Sequence, residues 1–130
     1  KKICEENNID FFAYSPLSFG ILCIDPDKEE NKEKSFIRNA LFENYKKPTY
    51  ELRRCLKRIA NQRSVSQAQV AINWCCYQGT IPLVGMRKKS QVIDVSNVFK
   101  WNLNKNEFKV LQEVSKKCLK KMPKNPFSSI

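Results

Sequence analysis

Two short apolar runs constrain the fold of this chain more than any other feature of its sequence. Residues 9–17 read IDFFAYSPL, and residues 80–86 read TIPLVGM. Each run is nearly continuous and has the length of a strand, which is typical of a parallel strand buried on both faces. The sequence between them has helical periodicity. The order therefore predicts two neighbouring units of a parallel α/β fold.

Helical signals surround the two runs. KKICEENN at the start resembles the tail of a helix, and residues 50–62 carry apolar side chains at helical spacing with Arg and Lys on the other face. A further helix is expected to begin at Gln67, because Ser66 and Gln69 form an S-x-x-Q capping box. It is expected to stop at Gly79, since glycine readily takes the left-handed conformation that ends helices.

Two more helices are predicted after the second run. Residues 90–99 form an amphipathic segment with Val92, Val95 and Phe99 on its buried side. A last helix is expected after Asn104, whose side chain caps it while Glu107 reciprocates. Trp74 and Trp101 are assigned to packing. Strand, basic turn and helix is thus the local order around residue 87.

Two segments lack any periodic pattern. Residues 22–47 include the charged stretch DPDKEENKEK, which predicts a mobile surface loop, and the tail 122–130 contains two prolines and is expected to be extended. With these two segments included, residues 1–130 are expected to form part of a single domain. Two strands alone would leave unpaired edges, so further strands or a bound partner are required. Because the chain starts at Lys1 rather than Met, we expect it to be part of a longer protein.

Composition argues against several classes of function. The net charge of +11 is dispersed along the 130 residues rather than gathered in one stripe, so nucleic-acid binding is disfavoured. Six cysteines without a CxxC pair, and no histidine, disfavour a zinc site and predict reduced thiols that fill the core. No apolar stretch is long enough for a membrane span, and no signal peptide is visible, so we expect a cytoplasmic protein.

Basic residues follow the second strand. Arg87, Lys88 and Lys89 lie where that strand turns into a helix, two residues after Gly85. In parallel α/β proteins, ligands lie at the carboxyl ends of strands, and the amides at a helix start favour anions. The placement suits a nucleotide phosphate. The alternative is that the three residues are simply solvated surface.

The segments AYSPLSFGIL, SQAQVAINW and GTIPLVGMRKKSQV, with Trp101 ahead of Leu103, resemble in order and spacing the C-terminal part of aldo-keto reductases. The resemblance covers nearly the whole chain and is closer to the plastid-type or bacterial-type branch. It implies the C-terminal part of a (β/α)8 TIM barrel, namely its last two strands, their helices and a C-terminal helix. It also implies a cofactor, NADP(H).

The resemblance implies one half of the cofactor site after the first strand. Tyr14 matches the tyrosine that stacks near the nicotinamide ring. Ser15, Leu17 and Gly20 match positions that follow the pyrophosphate. The alternative is that Tyr14 and Leu17 are core residues, because the strand is apolar. Phe19 is a departure, because many members carry a polar or basic residue there.

The other half follows the second strand. In the resemblance, Gly85, Met86 and Arg87 match positions around the adenosine 2′-phosphate, and the charge of Arg87 favours NADP over NAD. Gln91 matches a polar or basic position beside the adenine ribose, and Asp94 matches an acidic position near adenine. Val95, the second departure, replaces an asparagine that contacts adenine in many members.

The implied function is the cofactor-binding part of an NADPH-dependent oxidoreductase that reduces aldehydes or ketones to alcohols. The catalytic Asp, Tyr, Lys and His of the family lie on earlier strands, so no catalytic residue is assigned here, and residues 1–130 alone are expected to be inactive. The expected partners are a small carbonyl substrate and the remainder of the barrel. The alternatives are a non-catalytic NADP-binding regulatory subunit, like a channel β-subunit, or a degenerate pseudoenzyme.

Overall fold

The computed structural model describes residues 1–28 and 43–119. In chain order its elements are α1 Lys2–Glu6, β1 Phe12–Tyr14, a 3-10 helix Ser18–Cys23, α2 Tyr50–Arg63, α3 Gln67–Tyr77, β2 Ile81–Leu83, α4 Lys89–Ser96, a 3-10 helix Asn97–Lys100 and α5 Lys105–Leu119. Residues 43–46 are also helical. The predicted order of strands and helices is therefore confirmed.

The two strands pair in parallel. Phe12 lies opposite Ile81, and Tyr14 lies opposite Leu83. Both strands are three residues long, shorter than the runs that predicted them, and burial on both faces is wrong: alternate side chains of each strand are exposed. The reason is that the described helices cover one side of the pair only, with α3 in contact with β2.

The core lies between helices α2, α3 and α5. Its buried members are apolar and come from all three helices and the segment before α5: Cys55, Leu56, Ile59, Ala60, Val70, Ala71, Leu103 and Leu111. Trp74 packs against this cluster and stacks on Phe108, as predicted for a packing residue. The burial of Arg53 was not foreseen: this residue, expected on the solvent face of α2, is buried and donates to the carbonyl of Lys46 at 2.9 Å.

The predicted helix ends are confirmed where the signal is local. Helix α3 begins at Gln67, and the hydroxyl of Ser66 accepts from the amide of Gln69 at 3.1 Å. Its end is followed by Gly79, with φ of 70°. At α5, Asn104 and Glu107 exchange the two hydrogen bonds of a capping box, at 2.8 and 2.9 Å.

The buried side of α4 was predicted incorrectly. Val92 and Phe99 are exposed, Phe99 by 83%, whereas Val98 is buried at 1%. The α-helix ends at Ser96 and continues as a 3-10 turn, so the spacing of 3.6 residues does not extend to Phe99. Buried Asn73 fixes this turn by donating to the carbonyls of Val98 and Trp101 at 3.2 and 2.8 Å.

The irregular segment is shorter than predicted at both described ends. The first 3-10 helix reaches Cys23, and residues 43–46 are helical. Lys57 also binds Asp25 at 2.6 Å and Asp27 at 2.9 Å, which ties the start of the segment to α2. Residues 29–42 of the predicted loop and the predicted tail 122–130 lie outside the described residues. Within the described ranges, no helix is long and apolar enough to cross a membrane.

All six cysteines are described, and all are thiols rather than disulfides. Cys55, Cys75 and Cys118 are buried, as expected for core fillers, whereas Cys23 is exposed. In the ranges 1–28 and 43–119, no three metal-binding side chains come together.

Candidate cofactor site

Parallel pairing brings the two predicted halves of the site to one edge of the sheet. Tyr14 ends β1 directly opposite Leu83, which ends β2. The segments 15–20 and 84–91 therefore leave the sheet side by side. This edge is where parallel α/β proteins bind their ligands.

The segment after β1 turns through a left-handed backbone. Ser15, Ser18 and Phe19 have φ of 51°, 47° and 57°, and Gly20 has φ of 95°. Only glycine takes such angles without strain, and non-glycine residues held there cost on the order of 1 kcal/mol each. The amides of Ser18 and Gly20 donate to Ser15 and Leu17 carbonyls at 2.9 Å, so both are already used within the turn.

Tyr14 and Leu17 have different surroundings. Tyr14 is 79% exposed, so it is not a core residue in this chain and its ring is open for stacking. Leu17 instead packs against the core cluster between the helices. The side chain of Leu17 thus has a packing role. Only the backbone of Leu17 is left to contact a ligand.

The segment after β2 holds exposed positive charge at the start of α4. Arg87, Lys88 and Lys89 are exposed, and none has an ion-pair partner among the described residues. The side-chain oxygen of Gln91 accepts from the amides of Arg87 and Lys88 at 2.8 and 3.0 Å. Gln91 therefore shapes the turn that presents these charges.

Open space borders this turn. A side-chain carbon added at Gly85 would meet no atom within 4 Å, so nothing in the described chain fills the space beside its backbone. Met86, the next residue, is exposed as well. Uncovered guanidinium and ammonium groups beside such space fit the dianionic phosphate of a nucleotide cofactor.

Asp94 lies in a different environment from the rest of the predicted set. Its two carboxylate oxygens accept from Ser66 Oγ and from Gln69 Nε2, both at 2.6 Å. The carboxylate therefore joins α4 to the start of α3, and the predicted place of Asp94 beside adenine stays a prediction. Sequence reasoning placed Gln69 in a capping box, but its side chain is turned to Asp94 instead of the amide of Ser66.

Comparison with known proteins decides the family. The sequence profile described as the Aldo/keto reductase family matches residues 1–116. This chain belongs to the aldo-keto reductase family. Its members are oxidoreductases that generally use NAD(P)H, and the α/β fold described above is similar to part of an aldo-keto reductase barrel.

Individual relatives support this family assignment. Chloroplastic pyridoxal reductase of Arabidopsis thaliana is 33% identical over 129 residues, which is 99% of this chain and 35% of that protein. Protein REDOX 2 of Catharanthus roseus is 28% identical, covering 85% of this chain and 28% of that protein. The solved glycerol dehydrogenase of Gluconobacter oxydans superposes with a TM-score of 0.67 at 26% identity, over 98% of this chain and 40% of that one. This aldo-keto reductase chain thus spans roughly a third of the length of its curated relatives.

Proposed function

We propose that this chain is the C-terminal, cofactor-holding part of an aldo-keto reductase that uses NADPH to reduce aldehydes or ketones to alcohols. One observation carries the proposal: the parallel register of β1 and β2 brings segments 15–20 and 84–91 to the same edge of the sheet. The first segment follows an exposed tyrosine, and the second carries exposed Arg87.

The preference for NADPH over NADH rests on Arg87. A guanidinium forms paired, charge-assisted hydrogen bonds with a phosphate, whereas it gains little from a ribose hydroxyl. Lys88 and Lys89 add positive charge, and the first amides of α4 add the partial charge of a helix start. Gly85 leaves the backbone open to approach on the same side.

When bound, NADPH would supply hydride for a carbonyl carbon, and the residues of this chain would bind and orient the cofactor. Tyr14 offers an aromatic face, and the turn from Ser15 to Gly20 places backbone beside it. The proton-transferring groups belong to parts of the barrel outside this sequence. Two relatives are named a pyridoxal reductase and a glycerol dehydrogenase, and both names describe conversion between a carbonyl and an alcohol.

The proposal is tested with the intact protein. We expect it to bind NADPH, measured by nucleotide fluorescence, and to consume NADPH when pyridoxal or a simple aldehyde is added. Residues 1–130 alone are expected to reduce no carbonyl. Failure of the intact protein to bind NADPH would refute the proposal, and so would carbonyl reduction by residues 1–130.

One outcome of this experiment would favour the alternatives to an active enzyme, namely a regulatory subunit or a pseudoenzyme. An intact protein that binds NADPH but turns over no carbonyl substrate would hold the cofactor without using it. The cytoplasmic location remains a prediction, and the pyridoxal reductase is chloroplastic by name.

A further inference from the structure

A line of hydrogen bonds through one buried glutamine joins three parts of the chain. Gln69, 5% exposed, accepts from Trp101 Nε1 at 3.0 Å and donates to Asp94 Oδ1 at 2.6 Å. Ser66 donates to the other oxygen of Asp94 at 2.6 Å. We call these contacts of Gln69, Asp94, Ser66 and Trp101 the Gln69 bridge. It connects α3 to α4 and to the segment before α5.

Helix α4 has little packing of its own. None of its residues is fully buried, and Val92 and Ile93 are half exposed or more. A helix with so little buried apolar surface gains little from burial. The bond from Gln69 to the carboxylate of Asp94 is charge-assisted and partly buried, and the bond from Trp101 to Gln69 is a neutral one in the same setting.

The same helix carries the charged turn. Gln91, whose side-chain oxygen binds the amides of Arg87 and Lys88, precedes Asp94 by three residues, so the two side chains lie on one face of α4. Any rotation of α4 at Asp94 is therefore transmitted to the turn that holds Arg87.

We propose that Gln69 is a positioning residue for the cofactor site: through Asp94 it fixes the orientation of α4 and so sets where Arg87 meets the cofactor phosphate. The inference rests on the proposed function. It also gives Asp94 a role within the protein, which is separate from contact with adenine.

The test begins with Gln69→Leu in the intact protein, since leucine keeps the volume and loses both hydrogen bonds. We expect faster hydrogen exchange of the amides of α4, and a loss of NADPH affinity of about tenfold, the size typical for a group that orients a ligand-binding residue. The affinity for NADH is expected to change less, so the preference for NADPH falls. Gln112→Leu is the matched control, because the side-chain oxygen of Gln112 on α5 has no partner among the described residues.

A double exchange separates positioning from direct contact. In Gln69→Glu alone, two carboxylates face each other, and the loss of NADPH affinity should exceed the loss in Gln69→Leu. In Gln69→Glu combined with Asp94→Asn, the new amide donates to the new carboxylate, and Ser66 and Trp101 keep their acceptors. The hydrogen bond is restored with donor and acceptor exchanged. We therefore expect the amides of α4 to regain their protection from hydrogen exchange, and the preference for NADPH to return. This pair also remains informative if Gln69→Leu fails to fold.

Three results would overturn the inference. The first is a Gln69→Leu protein with the wild-type preference for NADPH. The second is a doubly substituted protein in which the amides of α4 regain their protection from hydrogen exchange but the preference for NADPH stays lost. The third is a doubly substituted protein that regains neither property. Either of these two results would mean that the carboxylate of Asp94 itself is required. A wild-type protein without any preference for NADPH over NADH would instead refute the proposed function, and the inference with it.

Discussion

Arg63 and Glu107 form a two-pronged ion pair between the end of α2 and the first turn of α5. Nε and Nη2 of Arg63 lie 2.9 and 2.8 Å from the two carboxylate oxygens. Glu107 also accepts from the amide of Asn104 at 2.8 Å. Burial alone would raise the pKa of Glu107, but Arg63 and the Asn104 amide outweigh it and hold that pKa below its ordinary value.

Glu107→Gln is therefore expected to destabilise the protein in a pH-dependent way. A carboxyl with a lowered pKa in the folded state stabilises the fold above its unfolded pKa, and this contribution is lost as the pH falls through the folded pKa. We expect the free energy of unfolding, measured in urea, to fall by about 1 kcal/mol at neutral pH. This difference from the wild-type protein should become smaller below about pH 4. Glu113→Gln, at an exposed carboxyl of the same helix, is the control. A loss that is independent of pH would contradict this account.

Gly79 and Gly85 flank β2 and should respond oppositely to alanine. Neither has an atom within 4 Å of an added side-chain carbon, but only Gly79 has a positive φ. Gly79→Ala is expected to cost about 1 kcal/mol in thermal unfolding and to leave NADPH affinity unchanged. Gly85→Ala is expected to leave stability within about 0.5 kcal/mol and to weaken NADPH binding several-fold, because the methyl group occupies space proposed for the cofactor. Equal effects of the two substitutions on binding would refute this assignment.

Cys75 is expected to be inert in the folded protein. Burial raises the pKa of its thiol to about 11, with a smaller contribution from Cys76. At pH 8 only about one such thiol in a thousand is the reactive thiolate, and burial blocks access as well. Labelling with iodoacetamide, followed by peptide mass analysis, should modify Cys23 first and Cys75 only after denaturant is added. Rapid labelling of Cys75 in the native protein would show that α3 is not packed as described.

Features with a local cause could be predicted from the sequence. The starts of α3 and α5 follow from capping residues three positions apart, and the stop before Gly79 follows from one left-handed residue. The parallel pairing of the strands follows from a helical crossover between two apolar runs. These signals reside in neighbouring residues, so the rest of the fold does not override them.

Features whose cause lies far away along the chain could not be predicted from the sequence. The side chain of Gln69 leaves its expected cap because Asp94 and Trp101, 25 and 32 residues away, offer a charged acceptor and a donor. Val98 rather than Phe99 is buried because the helix tightens after Ser96. For the site, the sequence placed Tyr14 and Arg87 in the segments that end the two strands, but it left open whether Tyr14 and Leu17 are core residues. Only the packed helices show that Leu17 contacts the core and Tyr14 does not.

The most direct test of the proposed cofactor site compares NADPH and NADH binding by the intact protein and its Arg87→Ala variant. Loss of a charge-assisted bond to phosphate should weaken NADPH binding about tenfold or more, with little change for NADH. Lys109→Ala, which removes an exposed charge on α5, should change neither affinity. Equal NADPH affinity in the wild-type and Arg87→Ala proteins would contradict the central claim.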